Sequence, residues 1–192
     1  MSGSSIKGVR LMLSNTPYSG RIPFTLGFIS DDPKEDKSMS PGKYWEQGFT
    51  GGRILGAYKN WTLGYEYTKV EGEAENRQGK DFNVDRQEHA IIVGYGVMRK
   101  IDRYSHFYVQ GNLKFGATKL QFASRENDQE THGKWAFTMG PELDVGVFFG
   151  QETGFKGGIH NPIALRLPFP GEETSYSCLS LVNPSVAIIY NF

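Results

Sequence analysis

The chain has 192 residues, 21 Lys and Arg against 21 Asp and Glu, 24 Gly, 13 Phe, 10 Tyr, 3 Trp and a single Cys. That length suits one domain, the zero net charge gives no electrostatic footing for nucleic acid, and one thiol makes neither a disulfide framework nor a cysteine-rich zinc site. The longest mostly apolar stretch, Ala90 to Met98, is about half of what a membrane-spanning helix needs.

The opening residues, Met1 to Ser5, lack the basic and apolar regions of an export signal, so a signal peptide is expected to have been removed from the mature chain. From there the strongest pattern is alternation in twos, with no apolar stripe at helical spacing. Ile22, Phe24, Leu26 and Phe28 alternate with Arg21, Pro23, Thr25 and Gly27. Gly48 to Tyr58 shows no decisive parity. Trp61, Leu63, Tyr65 and Tyr67 alternate with Thr62, Gly64, Glu66 and Thr68, and Ile91, Val93, Tyr95 and Val97 with Ala90, Ile92, Gly94 and Gly96. Phe107 to Thr118 has one apolar and one polar face, and Trp135 to Phe149 holds eight consecutive apolar positions on one face. Phe155 to Leu167 is interrupted at Pro162, which predicts a bulge or an edge of pairing there. The last segment places Val182, Pro184, Val186, Ile188, Tyr190 and Phe192 on one face. Such alternation marks strands with one apolar face each.

The connections alternate between short ones (59–60, 98–104, 150–154) and long polar ones (31–47, 71–85, 123–133, 168–174). This spacing predicts an all-β, up-and-down antiparallel barrel. Two opposite barrels share the pattern: a soluble carrier with its apolar face inward, and a transmembrane barrel with that face in lipid. Volume favours the second, because the large apolar side chains of one face would overfill an eight-stranded interior. The other face then lines the lumen. Its charges, Arg21, Arg53, Lys114 and Lys156 against Glu66, Glu88, Glu142 and Asp144, are equal in number, and buried charges are tolerable only when paired. A closed polar plug is therefore expected rather than an aqueous pore. Cys178 falls on the lipid-facing parity.

Aromatic residues fall at both ends of the apolar band, Trp61, Tyr104 and Phe149 beside the short turns and Tyr67 and Trp135 near the long loops, as a lipid interface selects. Strands of about 10 to 13 residues suit a tilted crossing. The final run Val186-Ala187-Ile188-Ile189-Tyr190-Asn191-Phe192 resembles the C-terminal signature of bacterial outer-membrane β-barrels, alternating apolar residues that end in an aromatic. The chain from about Gly20 onward resembles the small eight-stranded class of these proteins. That resemblance implies a bacterial outer membrane, contact with its lipid and lipopolysaccharide, and recognition of Val186, Ile188, Tyr190 and Phe192 by the barrel-assembly machinery. Eight strands are expected, with ten as the alternative; residues 1–19 form an N-terminal segment at the periplasmic rim or in the lumen, and residues 20–192 form the barrel.

Little in the sequence carries chemistry. His89, His106, His132 and His160 are scattered, without metal-ligand spacing, so neither a metal nor a cofactor is expected. His160 is the one candidate catalytic residue: outer-membrane lipid A deacylases, which share this architecture, carry a His and a Ser two residues later, but here that position is Pro162. A triad without its nucleophile cannot perform the acyl transfer. The long loops carry 15 acidic against 6 basic residues, and loops on a rigid scaffold are where binding lies. The leading expectation is a structural or interaction role through acidic external loops. Behind it stand a lipid A-modifying hydrolase or acyltransferase, and then a soluble carrier or small pore.

Overall fold

The computed structural model describes residues 9–18, 25–30, 41–76, 81–124, 130–131, 135–151, 153–170, 175–181 and 184–191. Among them are eleven strand segments: β1 (Val9–Tyr18), β2 (Thr25–Ser30), β3 (Pro41–Tyr58), β4 (Trp61–Asn76), β5 (Asp81–Lys100), β6 (Ser105–Ser124), β7 (Glu130–Thr131), β8 (Trp135–Gly150), β9 (Gly154–Pro168), β10 (Ser175–Ser180) and β11 (Ser185–Asn191). Every pairing is antiparallel. β1 and β2 lie in series along β3, and β10 and β11 in series along β9. Each of these two couples therefore makes one stave, and with β3, β4, β5, β6, β8 and β9 the wall has eight.

Closure is made by the two ends of the chain. β1 pairs β11 from Arg10 opposite Asn191 to Asn15 opposite Val186, while its other edge pairs β3. This corrects the expected boundary at residue 19. Val9–Tyr18 is half of the first stave, and the need to satisfy the free edges of β3 and β11 accounts for its place. Arg21 lies outside the described residues, as do Phe192 and the acidic pair Glu172 and Glu173.

Three further expectations change. Strands β3 to β6 run 16 to 20 residues, longer than the 10 to 13 expected. Most of the presumed loop 71–85 is paired strand, from Glu71 opposite Asp85 to Glu75 opposite Asp81. Polar side chains do not prevent pairing where they stand on the exposed face, as Glu71, Asn83 and Asp85 do, while Gly72 and Val84 are buried on the other. Toward β8, Pro162 causes no bulge, since that register runs unshifted from Thr138 opposite Pro168 to Gly150 opposite Lys156; the edge of pairing expected there is on the other side of β9, where the partners change from β10 at Ala164 to β11 at His160.

Cys178 points inward and is buried. Along β9, Ser180 pairs Ala164 and Ser185 pairs His160, so five residues of one strand span four of its neighbour. One extra residue reverses the face that every later side chain presents.

At the short-turn end the hairpin at Lys59 and Asn60 places Lys59 at a φ of 54°. The β5–β6 turn is held by the Asp102 carboxylate, which accepts hydrogen bonds from the backbone N–H groups of Tyr104 and Ser105 at 2.8 Å each. The Tyr104 N–H, the Ser105 hydroxyl and the Ser105 N–H hold the Asp102 carboxyl below its ordinary value. The turn is therefore expected to be tight above the ordinary Asp range and to loosen as pH falls through the lowered value. A fall in the protection factors of the Tyr104 and Ser105 amides in acid, after correction for intrinsic exchange, which Asp102→Asn makes independent of pH, is the measurement.

Candidate functional site

The described side chains sort by parity into two environments of inverted polarity. Outward stand large apolar residues: Ile54, Leu63, Ile91, Val93, Phe137, Ile159, Val186 and Ile188 are each 40% exposed or more. Inward stand charges that are nearly inaccessible, including Lys114 at 1% and Asp144 at 0%. A water-soluble carrier would show the reverse order.

Arg53 is the hub of the interior. Its Nη1 and Nη2 donate to the two Glu142 oxygens at 2.9 and 2.8 Å, its Nε to Glu66 at 2.6 Å, and Nη1 also to Asp144 at 3.2 Å. Lys114 Nζ bonds Glu66 and stands 3.3 Å from Glu142. Asn112 donates to Glu142 at 2.7 Å, and Gln110 donates to Thr62 at 2.8 Å. Glu88 forms a second centre, accepting from Arg86 at 2.5 Å and from Arg166 at 2.8 Å. The two centres are joined by Arg166, whose Nη2 lies 3.8 Å from Glu66. Lys156 is buried on the same inward face.

Parity reasoning missed Arg86 and Arg166. Arg86 shares the even-numbered face of Glu88 on β5, and Arg166 that of Lys156 and His160 on β9, so the signal was there in the alternation. The expected break at Pro162 hid the second. Between these groups lies a cavity of about 30 Å³ touching Arg53, Glu66, Arg166 and Cys178, room for about one water.

The interior is not wholly polar. Met12, Leu55, Ile92, Met98, Tyr108, Phe148, Ala187 and Ile189 form a buried apolar cluster. Leu55, Met98, Phe148 and Ile189 lie two or three residues from the short-turn ends of their strands.

His160 also faces the lumen, 1% exposed. Its Nδ1 is 2.8 Å from Asp144 and its ring stacks near Phe148. The lipid-facing position that a deacylase-like triad needs is therefore not where this histidine stands. Its inward direction follows from its parity with Lys156 and Ala164.

On the outer wall the cross-strand register builds rows. Tyr65, Ile91, Phe115 and Met139 make an apolar row; Tyr67, His89, Ala117 and Phe137 the next; Lys69, Gln87, Lys119 and Trp135 the one beyond; then Glu71, Asp85 and Gln121. The His89 ring sits among Tyr65, Tyr67 and Trp135, with the Tyr65 hydroxyl 2.6 Å from its Nδ1. A groove of about 500 Å³ runs below, lined by Tyr65, His89, Ile91, Phe115, Phe137 and Phe169, with Ala117 also on its wall. The residues expected at membrane interfaces, Trp61, Tyr67, Tyr104, Trp135 and Phe149, are all exposed. Of the expected assembly signature, Val186 and Ile188 point outward and Tyr190 is half-buried against the Phe155 ring.

Closed pairing, eight staves and up-and-down order define the class: an antiparallel β-barrel with an apolar exterior and a charged interior. Among solved structures the chain is similar to Ail, the attachment invasion locus protein of Yersinia pestis (13% identity, 97% of this chain and 99% of that one, TM-score 0.44). It is also similar to Neisserial surface protein A, NspA (8%, 97% and 98%, 0.49), and to the outer membrane protein OprG of Pseudomonas aeruginosa (12%, 97% and 96%, 0.48). No protein family profile and no curated protein matches the sequence.

Proposed function

We propose that this chain is a bacterial outer-membrane barrel whose lumen is closed, and that it acts through its outer wall and its acidic external end rather than by conduction or catalysis. The observation that carries this reading is the inverted polarity: a belt of exposed Leu, Ile, Val and Phe around an interior of paired Arg, Lys, Glu and Asp. In water that belt would be an aggregation surface, whereas in a bilayer it is the contact with lipid. Arg53, Glu142 and Lys114 bridge facing strands and fill the cross-section, which supports a closed interior. The acidic rows around Glu71 and Asp85 suit a basic partner or divalent cations at the headgroup level. Assembly through the C-terminal signature belongs to the same proposal.

The test is fractionation and conductance of the full chain exported with a signal peptide. Recovery in the outer membrane as a heat-shifted band, with no channel steps in planar bilayers, is expected. Recovery as a soluble protein would overturn the membrane reading, and ohmic steps would overturn the closed lumen.

A further inference from the structure

The row of Lys69, Gln87, Lys119 and Trp135 lies directly outside the row of Tyr67, His89, Ala117 and Phe137. The apolar groove starts at the second row, whose His89, Ala117 and Phe137 line it, and continues below along Tyr65, Ile91 and Phe115. Cationic and hydrogen-bonding groups thus cap a channel that only an apolar chain would fill, at the boundary that the aromatic residues mark. Ala117 makes the channel: it has His89 and Phe137 as its cross-strand neighbours, and a larger side chain there would close the space between them. The charges are available. Lys69 is 41% exposed in its side chain, and its neighbour Glu71, 4.0 Å away, is 71% exposed, a solvent-screened pair that contributes little.

Resting on the membrane reading above, we propose that this wall binds a phosphorylated, multiply acylated lipid of the outer leaflet. Lys69 and Lys119 take its phosphate, Gln87 and the Tyr65–His89 pair meet the sugar or glycerol oxygens beneath, and one acyl chain lies in the groove over Ala117. Charge complementarity selects the headgroup: two ammonium groups on alternate staves, β4 and β6, flank Gln87 of β5 and can converge on a phosphate between them, while the acidic row of Glu71 and Asp85 sets the outer limit for an anion. Apolar lining selects the chain. A soluble anion would gain nothing from Ile91, Phe115 and Phe169.

The test is backbone amide NMR of the full chain, folded in dodecylmaltoside micelles and titrated with diphosphorylated lipid A. Saturable shifts concentrated at 65–69, 87–91, 115–119 and 135–137 are expected. Lys69→Gln with Lys119→Gln should weaken the apparent affinity roughly tenfold, as loss of a charge-assisted contact does. Ala117→Phe should weaken it with both lysines intact. Each variant is first required to keep the heat-shifted band of the folded barrel. Shifts spread around all eight staves, shifts unchanged by these variants, equal shifts from phosphatidylcholine, or full reproduction by inorganic phosphate would each overturn the site. None of those outcomes touches the membrane reading, which fractionation tests separately.

Discussion

Arg53→Met is expected to be the most damaging single substitution in the interior, costing about 3–5 kcal/mol. Arg53 is the partner that Glu66, Glu142 and Asp144 have in common. Without it three carboxylates remain in a space from which water is nearly absent, facing only Lys114 and, 3.8 Å from Glu66, Arg166. The loss comes from stranded charge, not from lost packing, since methionine fills much of the arginine volume. Hence a second substitution, Glu142→Leu, should return part of the stability that Arg53→Met removes, although alone it too destabilises. Midpoints of urea unfolding for the two single variants and the double variant, read from the heat-shifted band, give the coupling. Additive losses would mean that the Arg53–Glu142 pair contributes little.

Val93→Arg is expected to cost about 2–4 kcal/mol when the barrel is folded in lipid vesicles, the penalty of an arginine on the lipid face at the bilayer midplane. Val93 stands midway along the outer face of β5, between Leu63 and Leu113 in the cross-strand row. Gln87→Arg, one row beyond His89 and in the row that ends on Trp135, should cost about 0–1 kcal/mol because interfacial depth carries a small penalty. In a soluble barrel both positions would face water, and both substitutions would be nearly neutral. The difference between the two variants thus reports where the solvent changes, independently of any fractionation.

The sequence made the faces legible wherever they differ in chemistry. Trp135 to Phe149 reads correctly because its outward residues are all large or apolar, and its inward ones include Glu142, Asp144 and Gly146. Gly48 to Tyr58 gave no parity because its inward face carries Arg53 beside Leu55 and Ala57, a mixture that the paired and apolar parts of the interior require together. Polar composition concealed the strand at Glu71 to Asn76, although Glu71, Glu73 and Glu75 already alternate with Gly72 and Ala74. Cys178 was misplaced because periodicity carries no record of an inserted residue. The role of Val9–Tyr18 was hidden for a different reason: its partner β11 lies at the far end of the chain, and no local pattern announces such a pairing.

That last pairing sets this wall apart from a sum of hairpins. Six staves, from β3 to β9, each meet the next one along the chain, so contact order between them is low. Joining residues 10–15 to 186–191 instead closes a loop of nearly the whole chain, and the entropy of ring closure falls on that single joint. In both staves at the joint the described pairing comes in two segments, β1 and β2 in one, β10 and β11 in the other, and the second pair is one residue out of step along β9. The cylinder thus has a designated place to zip shut, and its cooperativity rests on the two strands least able to form alone.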